Sequence, residues 1–499
     1  MYFLGLDIGS SSVKLALFDG EQGVAIGSIQ EPAEEFSIEA PESGWAEQHP
    51  DLWWNAISEG IGKLLAQFPE AKKKIASIGI SYQMHGLVAV DKNGEPVYPS
   101  IIWCDSRATE TGNQLFDELG DDWCMQNLLN SPGNFTFSKL KWIADNKQDV
   151  FARIDKVMLP GDYIAYKLTG EISSTATGLS EGILWNFKEN RAATELFEQT
   201  DISQSMLPPL VDCFGSDLKI SEQAAHQFGL SKQVTISYRA GDQPNNAFSL
   251  NVLEDGEFAT TAGTSGVVYA VTDKNIADKN QRINSFLHVN HLSDQHQVGL
   301  LACINGAGRL NSWLKHLLSA TGQDVSYPDL NKFAEQSCIG SLGALVHPFG
   351  NGAERILQNK LLSGQFIGLD FNRHGLPHIC RAVQEGVAFS MALGMKLIYR
   401  MGVASKIVRA GHANMFLSDV FSEAFVNTTE TPLELFDTNG AEGAARGAAW
   451  ASGFYSNRAD AFASLKKLKT LEPTPEKISA YGDVYGRWHS AFEELSKQQ

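Results

Sequence analysis

YFLGLDIGSSSVKLALFDG, residues 2–20, decides the architecture: two apolar stretches, YFLGLDI and VKLALF, flank GSSS, which is turn chemistry. A second turn, DGEQG (19–23), leads into GVAIGSI (23–29), a third strand. DLWWNAISEGIGKLLAQF (51–68) then carries apolar residues at helical spacing, and SIGIS (77–81) reads as a buried strand. Strands alternating with helices predict an α/β fold.

The pattern restarts half a chain later. RAGDQPNNAFSL (239–250) precedes EFATTAGTSGVVYAV (257–271), another strand, small-residue turn and strand. Turns centred near Gly9 and Gly263 form a weak internal repeat, which predicts two similar domains facing a cleft. The boundary is expected near 245–255, dividing the chain into 1–248 and 249–499 with a short hinge. A strand at GLLACING (299–306), a long helix over Pro377–Arg400, a strand at KIVRA (406–410) and helices around Phe416–Asn427 and Ala441–Gly453 follow.

Composition narrows the partners. With 499 residues, 43% apolar and 20% charged, the chain has material for full-sized cores and is neither disordered nor fibrous. Its 58 acidic against 40 basic residues give a formal charge of −18, which repels nucleic acid and anionic lipid and favours a small-molecule partner. Six scattered cysteines without a C-x-x-C pair read as reduced and mostly packing residues. MYFLGLDIGSS has no basic leader and no stretch is long enough to span a bilayer, so a cytoplasmic location is expected.

Five constellations can carry chemistry. In DIGSSSVK (7–14), Gly9, Ser10 and Ser11 offer a turn whose amides and hydroxyls can approach phosphate oxygens; Asp7 suits a hydrated Mg²⁺, and Lys14 can neutralise charge. AGTSG, with Gly263, Thr264 and Ser265, is a second such turn, or simply a tight one. In GDQPNN (241–246), Asp242, with Gln243 beside it, is placed either to orient a hydroxyl nucleophile in phosphoryl transfer, with a carboxyl near its ordinary pKa of about 3.9, or to cap a helix. SYQMHG (81–86) and IIWCDSR (101–107) bring Gln83, His85 and Asp105 for directional hydrogen bonds to a polyhydroxylated ligand, with Met84 and Trp103 for its apolar face. The competing reading makes Met84, His85 and Trp103 core residues and Asp105–Arg107 a surface pair. RAGHAN (409–414), with Gly411, His412 and Asn414, and DTNGAEGAARGAA (437–449) give either a slot for an adenine ring or tight helix packing. Zinc-protease, serine-hydrolase, Walker A and dinucleotide signatures are absent from the sequence.

Taken together and in this order, these motifs resemble the FGGY carbohydrate kinases, within the actin-like and hexokinase-like ATPases. DIGSSSVK resembles their phosphate hairpin. GWAEQHPDLWW (44–54), QMHG and WCDSR are similar to the N-terminal domain of the xylulose kinases among them, and TFSKLKWIADN (136–146) and GQFIGLDFNRHGLPHICRAVQE (364–385) to the two family signatures. The resemblance implies two ribonuclease-H-like domains around a central catalytic cleft and ATP-dependent phosphorylation of the 5-hydroxyl of D-xylulose. It implies Asp242 as base, Asp7 at Mg²⁺, and Met84 and His85 at the sugar. Thr264, Ser265 and the segments from Gly411 and Gly440 would flank the nucleotide. Sister substrates (ribulose, fuculose, gluconate, glycerol), a non-catalytic nucleotide-driven switch and a homodimer stay open. The chain departs from the family pattern at Asn134, at Gln384, and at His412, where many members have glycine.

Overall fold

The structure, a computed structural model, describes residues 1–320, 322 and 324–497. Its first sheet is built from β1 (Tyr2–Ile8), β2 (Val13–Asp19) and β3 (Val24–Glu31), an antiparallel meander. Helix α1 (Pro50–Gln67) follows, with Pro50 at its first turn and the His49 ring accepting from the Asp51 amide. Trp53, Ile57, Ile61 and Leu64 recur on one face of α1, which covers β2 and β3. Strand β4 (Ile75–Tyr82) runs parallel to β1. Beyond it lie α2 (Thr136–Asn146), α3 (Ala176–Glu181) and β5 (Thr235–Gly241), which completes the sheet order β3-β2-β1-β4-β5. Helix α4 (Asp242–Ser249) starts directly where β5 ends.

The second sheet repeats the plan. Strands β6 (Phe258–Ala262), β7 (Gly266–Thr272), β8 (Asn284–Leu287) and β9 (Val298–Ile304) precede α5 (Leu376–Arg400). This helix is buried on every side from Cys380 to Met395, and the polar side chains it carries inside are paired, Arg381 with Glu385 at 2.7 Å and Gln384 with Asn331 and Ser418. Then come β10 (Val408–Gly411), β11 (Leu433–Phe436), α6 (Gly440–Ala451) and β12 (Lys467–Leu471). The order is β8-β9-β7-β6-β10-β11-β12, so β9-β7-β6-β10-β11 matches β3-β2-β1-β4-β5 strand for strand. In each half the third parallel strand feeds a helix: β5 into α4, β11 into α6. The molecule is thus an α/β fold with two mixed sheets.

These two helices join the halves, and small residues make the joint. Strand alternation sends Leu4, Leu6 and Ile8 toward α1 and puts Phe3, Gly5 and Asp7 on the opposite face. Helix α6 lies on that opposite face, across β1 and β4. A Cβ on Gly5 would come within 1.8 Å of the Ala441 carbonyl oxygen, and one on Gly79 within 2.0 Å of that of Ala444. The run 437–449 therefore serves tight backbone packing along its helix. No helix among the described residues is long and apolar enough to cross a membrane.

Candidate active site

Asp7 and Asp242 are neighbours at the carboxyl ends of β1 and β5, near enough for the charge of one to act on the other. Asp7 stands opposite Lys14 and Ser81 in the sheet register, and the Ser81 hydroxyl donates to its Oδ1 at 2.8 Å. Asp242 is the first residue of α4, so its carboxylate sits at a helix N-terminus. Burial and the charge of Asp7 nevertheless push its pKa up to about 7, against the pull of hydrogen bonds from Gln243. Sequence reading expected an ordinary carboxyl here; the confined like-charged pair makes it a stronger base. Burial likewise raises Asp7, opposed by Ser81 and Lys14. Two carboxylates and a hydroxyl suit a small hard cation that keeps its own waters, and no cluster of three or more acidic, His or Cys ligands exists among the described residues to strip it.

Small-residue turns flank the pair. The Gly9 amide closes on the Ser12 carbonyl at 3.0 Å; Ser10 and Ser11 are half-buried and Lys14 is exposed. Gln48 donates to the Ser10 carbonyl at 2.8 Å and the Trp103 indole to the Ser10 hydroxyl at 3.3 Å, fixing this turn to the neighbouring loops. On the other side, the Thr264 carbonyl accepts from the Arg309 amide at 3.0 Å. Ser265 hydrogen-bonds Cys303, whose thiol in turn feels the Asp242 charge. A Cβ on Gly263 would lie 3.5 Å from Asn414 Nδ2, so the RAGHAN loop meets this turn. Asn414 and His412 are exposed, the His412 amide donates to the Phe436 carbonyl at 2.9 Å, and Gly411 packs near Thr438. Gly440, which opens α6, sits against Asp7: a Cβ there would fall 2.4 Å from Oδ2.

The QMHG loop lines the other end. Met84 is buried against Gly241, and Gln83 Oε1 is buried without a partner. His85 adopts a left-handed backbone (φ 64°) and its Nδ1 donates to the Glu181 carbonyl at 2.9 Å, leaving Nε2 as an acceptor. Burial drives its pKa down to about 3, so the ring is neutral. Phe135 packs edge-on to it at 4.8 Å, and Phe286, from β8 of the second half, at 5.2 Å.

Asp105 departs from expectation. Its carboxylate accepts from the Ala46 amide at 2.6 Å and from the Arg107 amide and guanidinium, while Arg107 also reaches Glu47 at 2.6 Å and stacks on Trp45. Every lone pair is engaged, so Asp105 braces the loop and offers a ligand nothing. Nor is this a surface pair: both side chains are almost wholly buried. Sequence reading also missed Lys139. Fully buried on α2, it donates to the His85 and Ile102 carbonyls at 2.8 and 3.0 Å and ties both loops together. Its presence within TFSKLKWIADN was the available signal.

Comparison with known proteins agrees with this fold. The model of the FGGY family of carbohydrate kinases, N-terminal domain, matches residues 2–249, and that of the C-terminal domain matches 258–454. A xylulose kinase of Lactococcus lactis subsp. lactis is 27% identical over 99% of this chain and 97% of its own. A crystal structure described as a xyloylose kinase from Brucella ovis superposes with a TM-score of 0.88 at 26% identity, covering 100% of both chains. Plasmodium falciparum glycerol kinase with ADP gives 0.85 at 18% identity over 99% of this chain and 98% of its own, which speaks to the fold. Both halves of this twin-sheet fold are thus matched as domains of carbohydrate kinases. The chain belongs to the FGGY family of carbohydrate kinases.

Proposed function

We propose that this kinase transfers the γ-phosphoryl group of ATP to the 5-hydroxyl of D-xylulose. The observation that carries the reading is the Asp7–Asp242 pair, with a small-residue turn on either side and the QMHG loop beside it. In this reading Asp242 orients the acceptor hydroxyl and takes its proton as the loose transition state forms. Asp7 would hold Mg²⁺, which when bound offsets phosphate charge. His85 Nε2 accepts from a sugar hydroxyl, and Met84 and Trp103 cover carbon. Gly9, Ser10, Ser11, Thr264 and Ser265 offer amides and hydroxyls to the phosphates, while Gly411, His412 and Asn414 border the nucleotide. The resemblance to relatives named xylulose kinases, together with QMHG, supports the ketopentose.

The test is ADP release from the purified protein with Mg-ATP against a panel of ketoses, gluconate and glycerol. D-xylulose is expected to give the highest kcat/KM. Another acceptor winning by tenfold, about 1.4 kcal/mol in transition-state binding, replaces it as substrate; nucleotide binding with no acceptor-dependent turnover replaces catalysis with a switch.

A further inference from the structure

One acid near Asp242 has no task in the transfer. Glu181 ends α3 and is 2% exposed, and the one side-chain donor beside its carboxylate is the Tyr82 hydroxyl. A single hydroxyl can serve only one of the two oxygens, so the other is left without a partner. Leaving a buried polar group unpaired destabilises the fold, and leaving a charge unpaired does so more strongly. An acid kept in such a place points to a partner from outside the chain.

Its neighbours indicate which partner. Glu181 Oε2 is 3.0 Å from where a Cβ on Gly241 would lie, one residue before Asp242, and the Met84 side chain crowds the same spot. It is 3.9 Å from His85 Nδ1, whose proton is already committed to the Glu181 carbonyl. The nearby Arg239 guanidinium faces Asp162 at 3.2 Å instead. The carboxyl group thus stands among Asp242, Met84 and His85, the residues assigned above to the acceptor.

We propose that the Glu181 carboxyl group is a specificity-determining ligand of the acceptor, accepting a hydrogen bond from a hydroxyl other than the one phosphorylated. The inference rests on the sugar-kinase reading. A pocket built to pair with a hydroxyl discriminates strongly against an analogue lacking it, because its own polar group is then stranded.

The experiment compares wild type and Glu181→Gln on D-xylulose and its 1-, 3- and 4-deoxy analogues, with calorimetric binding of D-xylulose in parallel. Glutamine preserves shape and removes a buried charge; Glu181→Met, of similar volume, is the second variant, and melting temperatures report folding. The expected result is a rise of tenfold or more in KM and Kd for D-xylulose, with KM for ATP within twofold. For one deoxy analogue the variant and wild type should have equal kcat/KM. A D-xylulose KM within twofold of wild type overturns the proposal, as does an equal loss on all four acceptors, the mark of a merely structural role. If wild type prefers another acceptor, the same comparison on that acceptor's deoxy forms decides. If wild type phosphorylates none, the kinase reading itself fails, and this inference with it.

Discussion

Asp242 carries two consequences at the scale of single residues. On its proposed role as base, replacement in Asp242→Asn should lower kcat by about 10²–10⁴-fold while calorimetry shows ATP and sugar binding little changed. The same variant should melt at a higher temperature than wild type at pH 8. Because the folded carboxyl has its pKa raised to about 7, the native state binds its proton more tightly than the unfolded chain. The cost of the confined charge is therefore full above pH 7 and relieved as pH falls toward the ordinary carboxylate value. The stabilisation by Asp242→Asn should accordingly shrink between pH 7 and about 4; a gain independent of pH would mean the charge is not its source. Arg107→Ala should destabilise by about 3–5 kcal/mol in urea titrations, since it strands Asp105 and Glu47 without their cation. Two departures from the family pattern find their reasons at this scale. The Asn134 amide donates to the Asp105 carbonyl, and Gln384 inside α5 exchanges hydrogen bonds with Asn331 and Ser418 at 2.9 and 2.6 Å. Asp7, Asp242 and the QMHG loop were legible because their chemistry is carried by local motifs. Glu181 was not, since GLSEGILW has no motif and its partners lie on other elements.

At the scale of elements, hairpins and amphipathic helices read directly from their periods: 51–68 became Pro50–Gln67, and Pro377–Arg400 became Leu376–Arg400. Between the two readings of 437–449, packing holds along the body of α6, while its first residue, Gly440, sits against Asp7. Composition could not separate them, because a helix that must touch a sheet backbone and a loop that must admit a flat ring both demand small side chains. Two glycine substitutions test the contact. Gly5→Ala forces a Cβ to 1.8 Å from the Ala441 carbonyl oxygen and should destabilise by about 3 kcal/mol or more. Gly62→Ala, on exposed α1 surface with nothing within 4 Å, should stabilise by about 0.5–1 kcal/mol. Chemical denaturation of both gives opposite signs.

The whole molecule is two sheets of matching order, and the repeat of turns at Gly9 and Gly263 was enough to anticipate that. What patterning could not convey is that α6, late in the chain, roofs the sheet made by its first residues, since periodicity names a buried face but never its partner. A fragment of residues 1–248 would leave Phe3, Phe18 and Tyr238, which pack with Ala444, Ala445 and Ala448, open to water. That fragment should bind a hydrophobic dye and lack a cooperative melt, whereas the full chain should unfold with the two halves coupled; a fragment melting like the intact protein would contradict this. The backbone-to-backbone contact of Gly5 with Ala441, and of Gly79 with Ala444, has a mechanical meaning too. Main chain meets main chain there, with Asp7 and Gly440 at the end of the same seam. The distance between the first strand and the start of α6 is therefore set by backbone geometry and owes nothing to the choice of a rotamer.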